Sequence, residues 1–428
     1  MLTFELDEMS DEVVRAILSR AGVDLSEAAE TARDIISEVR SRGDDALLEF
    51  AERFDGLTRR SPIVTTEEIR TAYERAPKSL VRALTASKVR IERYHSKQRL
   101  PAFEYRDSCG LFGQKVVPLE RVGVYVPGGT ASYASSVLMT CVPARIAGVG
   151  QIALCTPGKG GLVDDNILAA AFICGVEEVY LVGGAQAIAA MAYGTETIRR
   201  VQKIVGPGGA VVSAAKLLVR NDCDIDMLAG PSEVLIVADA GASPYLTALE
   251  MLAQLEHDRF ARALLVTPSR RLIERTKEAL GDLLKEADRS DIVSVAAKEG
   301  AIFLRSKSIE AALVFSNEYA PEHLLIDVKE PDRMLGKVEN AGSVFLGRSS
   351  SVAFGDYCSG TNHVLPTKGY ASMRSTLSTY DFTKIIPYQC ISESGARKLA
   401  PIVFEVAMSE GLSAHAKSAM SRAGKVTR

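Results

Sequence analysis

Long hydrophobic runs are missing from this 428-residue sequence. The longest uninterrupted apolar stretch is the eight-residue run from Ile167 to Cys174, whereas a membrane-spanning helix needs ~20 residues. An excess of one charge is missing too, because 51 Lys and Arg are balanced by 54 Asp and Glu, for a formal net charge of -3. Without an extended basic field, we expect no nucleic acid partner and no membrane partner.

Paired cysteines and a secretory leader are also lacking. The seven cysteines include no CxxC pair, and the N-terminal stretch MLTFELDEMSDEVV is acidic, with no basic segment before an apolar core. Scattered cysteines without a leader are typical of reduced thiols in the cytoplasm. Hydrophobic residues make up 47% and charged residues 25%, the usual globular mix. We therefore expect a folded cytoplasmic protein of about two or three domains.

The pattern of apolar residues changes along the chain. The first hundred residues favour amphipathic helices, with a capping box predicted from Thr65 to Glu68. From about residue 120, short β-branched runs alternate with helical patterns, as in EVYLVGG before AQAIAAMAY and SEVLIVAD before SPYLTALEMLAQLEH. This alternation predicts βαβ units and two doubly wound parallel sheets, which bind ligands beyond the carboxyl ends of their strands. The last fifty residues cannot build their own core, so we expect them to pack on the body or on another subunit.

Four of the five histidines have neighbours that suggest chemistry. Gln254 and His257 are three residues apart in a helical pattern, a usable metal-ligand spacing. Glu322 and His323 follow the helix-breaking Pro321. The remaining candidates flank short loops: Asp356 and His363 in GDYCSGTNH, and Glu410 and His415 around Gly411. On spacing alone, solvated helix faces and turn hydrogen bonds are the more common explanations for such patterns.

A cofactor site is not evident from glycine motifs. The sequence has neither GxGxxG after a predicted strand nor GxxxxGK[ST]. The turns GGAQA (183–187) and GPGG (206–209) each precede a predicted helix and could present backbone N–H groups to phosphate. A structural turn explains them equally well.

Longer motifs carry a specific resemblance. In order along the chain they are ERVGVYVPGGTASYASSVLMTCVPARIAG, VGGAQAIAA, DMLAGPSEVLIVAD, AQLEHD, NEYAPEHL, AGSVFLG, GDYCSGTNHVLPT and EGLSAH. From about residue 24 to about residue 420, the chain resembles the histidinol dehydrogenase family.

The resemblance implies a set of site residues. It gives Glu322 and His323 the acid–base roles. It assigns one Zn²⁺ per subunit to Gln254, His257, Asp356 and His415. It implies substrate contacts by Ser232, Gln254, His257, His323, Asp356, His363, Glu410 and His415. For NAD⁺ it implies Tyr125, Gln186 and Gly209, where Gly209 replaces the asparagine usual in the family's GPGN motif.

The resemblance also implies a reaction and an assembly. The family oxidises L-histidinol through L-histidinaldehyde to L-histidine, with two NAD⁺ per substrate. Its members are intertwined homodimers, so Glu410 and His415 are expected to act in the active site of the other subunit. Two alternatives stay open: a related dehydrogenase for another small polar alcohol, and a non-catalytic metal-binding protein of the same fold.

The expected architecture is two incomplete Rossmann-like domains, a helical N-terminal segment and a C-terminal arm. Residues 1–23 are predicted to form the N-terminal arm. Residues 24–124 and 237–376 are assigned to the first, zinc-binding domain, and residues 125–236 to the second, on the NAD⁺ side. Residues 377–428 are predicted to form the dimerisation arm.

Overall fold

The computed structural model describes residues 1–20, 26–128, 132–158, 160–227 and 230–424. The chain forms two compact units. One unit consists of Met1–Gln98 and Glu120–Phe382, and the other consists of Arg99–Leu119 and Thr383–Arg428.

The strands and helices are numbered in chain order. The strands are β1 (Leu2–Glu5), β2 (Ile63–Val64), β3 (Phe103–Arg106), β4 (Gly110–Pro118), β5 (Arg121–Tyr125), β6 (Gln151–Thr156), β7 (Glu178–Leu181), β8 (Lys203–Val205), β9 (Asp224–Ile225), β10 (Glu233–Ala238), β11 (Arg262–Thr267), β12 (Ala301–Arg305), β13 (His323–Asp327), β14 (Ser343–Leu346) and β15 (Thr383–Ile391). The α-helices are α1 (Asp11–Ser19), α2 (Ser26–Arg42), α3 (Asp44–Asp55), α4 (Thr66–Arg75), α5 (Lys78–His95), α6 (Ala134–Ala147), α7 (Asp165–Ile173), α8 (Gly184–Tyr193), α9 (Ala210–Val219), α10 (Pro244–Leu255), α11 (Arg270–Glu286), α12 (Ser290–Gly300), α13 (Ile309–Tyr319), α14 (Asp332–Leu335), α15 (Val352–Tyr357), α16 (Glu393–Ser409) and α17 (Ser413–Arg422).

Two six-stranded sheets confirm the predicted parallel α/β fold. The first sheet has the order β1-β12-β11-β10-β13-β14, and all its pairs are parallel. The second sheet has the order β2-β7-β6-β5-β8-β9 and is parallel except for the edge strand β2. Apart from the edge strands β1 and β2, the chain in each sheet runs from a central strand, β10 or β5, outward to one side, and then continues on the other side of that strand. This is the doubly wound arrangement, with its switch point beside the central strand.

The core of the first sheet lies on both of its faces. Val234, Ile236 and Ala238 of β10 pack in one cluster with residues of α10, α11 and α12. Leu235 and Val237 point to the opposite face and pack with residues of α1 and α13. Burial of alternate residues on two covered faces explains why these strands have continuous apolar sequences.

Local sequence signals set several helix ends. Thr65 and Glu68 form the predicted capping box at the start of α4. Ser243 caps α10, and Pro244 takes its first turn, where a missing N–H costs nothing. Among the described residues, no helix is both long enough and apolar enough to span a bilayer.

The second unit contains an antiparallel sheet with the order β15-β4-β3 and the helices α16 and α17, which pack on each other. Several of its large apolar side chains are exposed. They are Phe103, Tyr105, Ile385, Ile386, Tyr388, Ile402, Val403, Phe404, Val406, Met408 and Leu412.

The strand pairings differ from the predicted domain ranges. The predicted arm 1–23 contains β1, which pairs with β12 at the edge of the first sheet. The segment 24–124 supplies β2 and β5 to the second sheet, and its helices α2 and α4 pack on α8, α9 and α7. The range 125–236 ends inside β10, and residues 99–119 belong to the second unit. These pairings join residues far apart in the chain, so local periodicity does not reveal them.

Candidate active site

A cavity of about 590 Å³ lies where the two sheets of the first unit meet. The second sheet contributes the turns after β5 and β8, at the carboxyl ends of its strands beside the switch point. The first sheet contributes the residues at the amino ends of β10 and β13. The expectation of a carboxyl-end site therefore holds for the second sheet only. Predicted site residues that line the cavity are Gly209, Ser232, Gln254, His257, Glu322, His323, Asp356 and His363.

Glu322 and His323 are placed by a tight turn. Helix α13 ends at Tyr319, the following residue Ala320 has a left-handed backbone with φ 47°, and Pro321 prevents the helix from continuing. His323 then opens β13. The Glu322 carboxylate accepts a hydrogen bond from the Glu233 N–H, at 2.7 Å between N and Oε2. Both acid–base candidates are buried at the wall of the cavity.

The main chain sets the orientation of the His323 ring. Its Nδ1 lies 3.0 Å from the Glu233 carbonyl oxygen. A carbonyl only accepts, so Nδ1 must donate the proton in this hydrogen bond. Nε2 lies 3.5 Å from Asp356 Oδ1 and has no hydrogen-bond partner among the described residues. The ring therefore directs a nitrogen without a hydrogen bond toward the Asp356 carboxylate, and an unengaged imidazole nitrogen can take up a proton.

The electrostatics couple Glu322 and His323. Burial raises the pKa of Glu322 to about 8, although the adjacent His323 opposes the shift. Burial alone would lower the pKa of His323, but the Glu322 and Asp356 carboxylates outweigh it and raise that pKa to about 9. Perturbed pKa values of this size in a cavity are a mark of functional groups.

Asp356 and His363 come from the segment that follows the first sheet. Burial would raise the pKa of Asp356, but His323, His363 and His257 hold it below the usual value. His363 Nδ1 donates to the Asp356 carbonyl oxygen at 2.8 Å, and its Nε2 lies 3.2 Å from Ser136 Oγ on α6. Both nitrogens of the His363 imidazole have a polar partner, so the orientation of the ring at the cavity wall is fixed.

Gln254 and His257 flank the end of α10. Gln254 lies in the last helical turn and is 4% exposed, and its Nε2 has no hydrogen-bond partner among the described residues. The helix ends before His257, whose N–H bonds the Gln254 carbonyl in a turn. His257 therefore lies in the turn after the helix and not in the predicted helical pattern. His257 is exposed. The protein atoms around its imidazole still remove part of its hydration, and this desolvation lowers its pKa.

The predicted cofactor residues divide into two groups. Gly209 lines the cavity, whereas Tyr125 and Gln186 are buried and are not part of its lining. The Tyr125 hydroxyl accepts from the Gly184 N–H at 3.2 Å, and Gln186 Nε2 donates to Asp55 Oδ2 at 3.4 Å. Both therefore brace the turn at the start of α8.

Glu410 and His415 lie in the second unit. Glu410 follows the end of α16 and His415 lies in the first turns of α17. Both residues are exposed. Within the described ranges, no group of three or more His, Cys, Asp or Glu side chains has an arrangement suited to a metal ion.

Comparison with known proteins identifies the family. A sequence model of histidinol dehydrogenase matches residues 18–423. The chain belongs to the histidinol dehydrogenase family. It is 46% identical to the histidinol dehydrogenase of Methanothermobacter thermautotrophicus, over 97% of this chain and 98% of that protein. It is 43% identical to that of Chromobacterium violaceum, over 92% and 94%.

A solved histidinol dehydrogenase confirms the fold. The crystal structure of the enzyme from Elizabethkingia anophelis matches with a TM-score of 0.94 at 34% identity, covering 99% of this chain and 98% of that chain. The family predicted from the motifs and the α/β fold are thereby confirmed. The chain is an oxidoreductase of histidine biosynthesis.

Three residues that contact the predicted site residues or the turn beside them were not singled out from the sequence. Ser136 contacts His363, Glu233 contacts both acid–base candidates through its main chain, and Asp55 bonds the Gly183 N–H at 2.8 Å. Ser136 and Glu233 lie inside long matching motifs, which is the only sequence signal they have. Asp55 precedes Gly56 at a helix end and resembles an ordinary terminal residue.

Proposed function

We propose that the cavity performs a four-electron oxidation of L-histidinol to L-histidine, with L-histidinaldehyde as the bound intermediate and two NAD⁺ as acceptors. The observation that carries the proposal is the Glu322–His323 pair, which lines the cavity and is held by the main chain of Glu233, with His323 Nε2 left without a hydrogen bond near Asp356. A protein that only binds metal has no need for such a pair. The chain has the substrate-contact residues that the family resemblance implies, and their presence favours histidinol over another small polar alcohol as the substrate.

His323 serves the first oxidation. A hydride leaves an alcohol carbon only as the hydroxyl proton is removed, so a base must lie beside that hydroxyl. His323 Nε2 is the acceptor, because Nδ1 is already engaged with the Glu233 carbonyl.

Glu322 serves the second oxidation. An aldehyde must gain water before a second hydride can leave, and a carboxylate can remove a proton from that water. Glu322 Oε2 is held by the Glu233 N–H, and Oε1 would be the oxygen that takes the proton from that water. The raised pKa makes Glu322 a stronger base than an ordinary carboxylate.

The cavity suits a zinc ion in the kind of donors it offers. Gln254, His257 and Asp356 line it together, and they offer an amide oxygen, an imidazole nitrogen and a carboxylate. These residues would hold the ion, with His415 of a second copy as the fourth ligand. When bound, zinc supplies a template and Lewis acid for the substrate's imidazole and amine. Ser232 and His363 face the same space and would contact the substrate, as would Glu410 of the second copy.

The NAD⁺ side is the crevice at the switch point of the second sheet. Pro127, Gly128 and the 206–209 turn line it, and α9 starts at this turn. Backbone N–H groups at a helix start favour phosphate. Tyr125 and Gln186 support the neighbouring turn. When bound, NAD⁺ supplies the hydride acceptor.

The second unit supports a homodimer. Its exposed apolar side chains on β15 and α16 form the kind of surface that usually marks a protein interface. A second copy of the chain is the proposed occupant, since the proposed ligand His415 and the proposed substrate contact Glu410 lie in the same unit. The proposed dimer brings them to the cavity of the other copy.

The test counts NADH formed per substrate by the zinc-loaded protein, across a panel of small polar alcohols. The proposal predicts about two NADH per L-histidinol, since NAD⁺ accepts one hydride at a time. About one NADH per substrate, with the aldehyde released, would contradict it. Turnover of another alcohol but not of histidinol would favour the related dehydrogenase instead.

A further inference from the structure

Glu233 lies beside both acid–base residues, but the proposed mechanism gives its side chain no role. It is the first residue of β10, and its two main-chain groups contact the two acid–base residues. The Glu233 N–H donates to Glu322 Oε2 at 2.7 Å, and the Glu233 carbonyl accepts from His323 Nδ1 at 3.0 Å. The position of this single peptide segment therefore sets the orientation of both side chains.

The side chain of Glu233 is a buried charge. It is 3% exposed, and its Oε2 lies 2.7 Å from Arg20 Nε, in an ion pair without the geometry of a hydrogen bond. The Tyr319 hydroxyl donates to the same oxygen at 2.9 Å. The other oxygen, Oε1, has no hydrogen-bond partner among the described residues. A buried ion pair is weak evidence for stability, because desolvation costs about as much as the attraction gains.

Arg20 also holds the turn that leads to Glu322. Its guanidinium lies 3.8 Å from the centre of the Tyr319 ring. Its Nη2 donates to the carbonyl oxygens of Tyr319 and Ala320, at the end of α13. Ala320 has the left-handed backbone that turns the chain toward Glu322 and His323. Arg20 thus contacts both segments that carry the catalytic geometry, namely the start of β10 and the turn before β13.

Pairing with the start of β14 holds the main chain of Glu322, whose carbonyl oxygen accepts from the Ser343 N–H at 2.9 Å, but it does not fix the Glu322 side chain. The register of β10 and β13 begins with Val234 opposite His323, so Glu322 lies one residue outside the ladder. Arg20, Glu233 and Tyr319 are absent from the residues lining the cavity in the described part of the chain. They cannot touch a substrate there, and they act only through the residues they hold.

We propose that Arg20, Glu233 and Tyr319 form a buried positioning network that fixes Glu322 and His323 for both oxidations. This inference rests on the proposed roles of Glu322 and His323. The network links the N-terminal segment to the catalytic pair. Substitution of one member of the network replaces no residue of the cavity lining. It lets the Glu233 peptide and the Ala320 turn shift, and Glu322 and His323 shift with them. The expected signature is a lower kcat with little change in KM.

The experiment compares Arg20→Met, Arg20→Lys and Glu233→Gln with wild type in the zinc-loaded full chain. We expect Arg20→Met and Glu233→Gln to lower kcat about tenfold or more, since a ~1 Å misplacement can cost about 10²-fold. KM for histidinol and for NAD⁺ should stay within about twofold. Arg20→Lys keeps the charge and should recover part of kcat.

A matched control separates positioning from stability. Arg121, which is buried, pairs with the partly exposed Glu178 through two contacts of 2.7 Å. Both residues lie at the amino ends of their strands, β5 and β7, whereas the cavity lies at the carboxyl ends of this sheet. Arg121→Met should lower the melting temperature while leaving kcat near wild type. If Arg20→Met and Glu233→Gln reduce kcat no more than Arg121→Met does, the network has only a structural role and the inference is overturned.

Two further variants keep the outcome decisive. If Arg20→Met does not fold, Tyr319→Phe removes only one hydroxyl, and an unchanged kcat in both Tyr319→Phe and Glu233→Gln would refute the network. His323→Ala and Glu322→Gln test the underlying roles. If those two variants retain full kcat, the proposed function fails. If they lose it while the network variants do not, only the positioning inference fails.

Discussion

His323 is positioned by a backbone carbonyl rather than by a carboxylate. The Glu233 carbonyl fixes the proton on Nδ1 and leaves Nε2 for the reacting groups. Glu322, adjacent in sequence, is fixed by the N–H of the same residue. In the proposed mechanism, His323 and Glu322 can therefore each accept a proton, one in each oxidation, while both side chains keep their positions.

Glu322→Gln should slow the second oxidation most. The amide keeps the size of the carboxyl group and leaves the proposed zinc ligands unchanged, but it cannot take a proton from water. We expect oxidation of the aldehyde to fall ~10²–10⁴-fold, the usual range for loss of a general base. Separate rate measurements with histidinol and histidinaldehyde check this. Equal slowing of both steps would assign Glu322 a different role.

Gly209→Asn should strengthen NAD⁺ binding. A side chain added at Gly209 meets no atom within 4 Å, and the residue caps α9, a position that asparagine favours. One added hydrogen bond of about 0.5–1.5 kcal/mol corresponds to a KM for NAD⁺ lower by about two- to tenfold. Gly209→Ala is the control without the amide. If both variants have the same KM, Gly209 lies away from the cofactor.

At the scale of elements, a buried ion pair joins α9 to the end of β9. Lys216 and Asp226 are almost fully buried against each other. Lys216 Nζ also donates to the Gly206 carbonyl at 2.9 Å, and Asp226 accepts from the Gly206 N–H at 2.7 Å. Gly206 has φ +115°, and a Cβ there would lie 2.0 Å from the Tyr125 carbonyl oxygen. The pair thus fixes the turn that lines the proposed cofactor crevice.

Lys216→Met should destabilise the fold strongly. The substitution leaves the Asp226 carboxylate buried without its cation, which typically costs about 3–5 kcal/mol. The control is Lys285→Met, because the Lys285–Asp282 pair is exposed on α11, and such pairs contribute about 0–1 kcal/mol. Urea unfolding of both variants measures the difference. Equal free energies of unfolding would show that Asp226 is satisfied without Lys216.

The sequence predicted those strands and helix ends that depend on contacts between residues close together in the chain. The alternation of β-branched runs and amphipathic stretches predicted the central strands, and Thr65 and Glu68 predicted a helix start that the structure contains. The pairing of β1 with β12 and of β15 with β4 joins segments that lie far apart in the chain, and no local pattern encodes it. In the same way, a sequence motif predicted Glu322 and His323, whereas the ion pair between Arg20 and Glu233 is visible only in the structure.

At the scale of the whole molecule, the proposed site depends on a second copy of the chain. Mixing His323→Ala with His415→Ala tests this, since each variant alone should be inactive. Random pairing makes half of the dimers mixed, with one intact site of two, so refolded mixtures should recover about a quarter of wild-type activity. Each variant refolded alone is the control. Mixtures that recover nothing would contradict a shared site.

The location of the bound metal tests the central claim most directly. A crystal of the zinc-loaded protein with histidinol, measured at the zinc absorption edge, gives that position without reference to activity. We predict one anomalous peak per cavity, in contact with Gln254, His257 and Asp356 and with His415 of a second copy, beside Glu322 and His323. A peak elsewhere, or zinc without contact to Gln254, His257 and Asp356, would contradict the account.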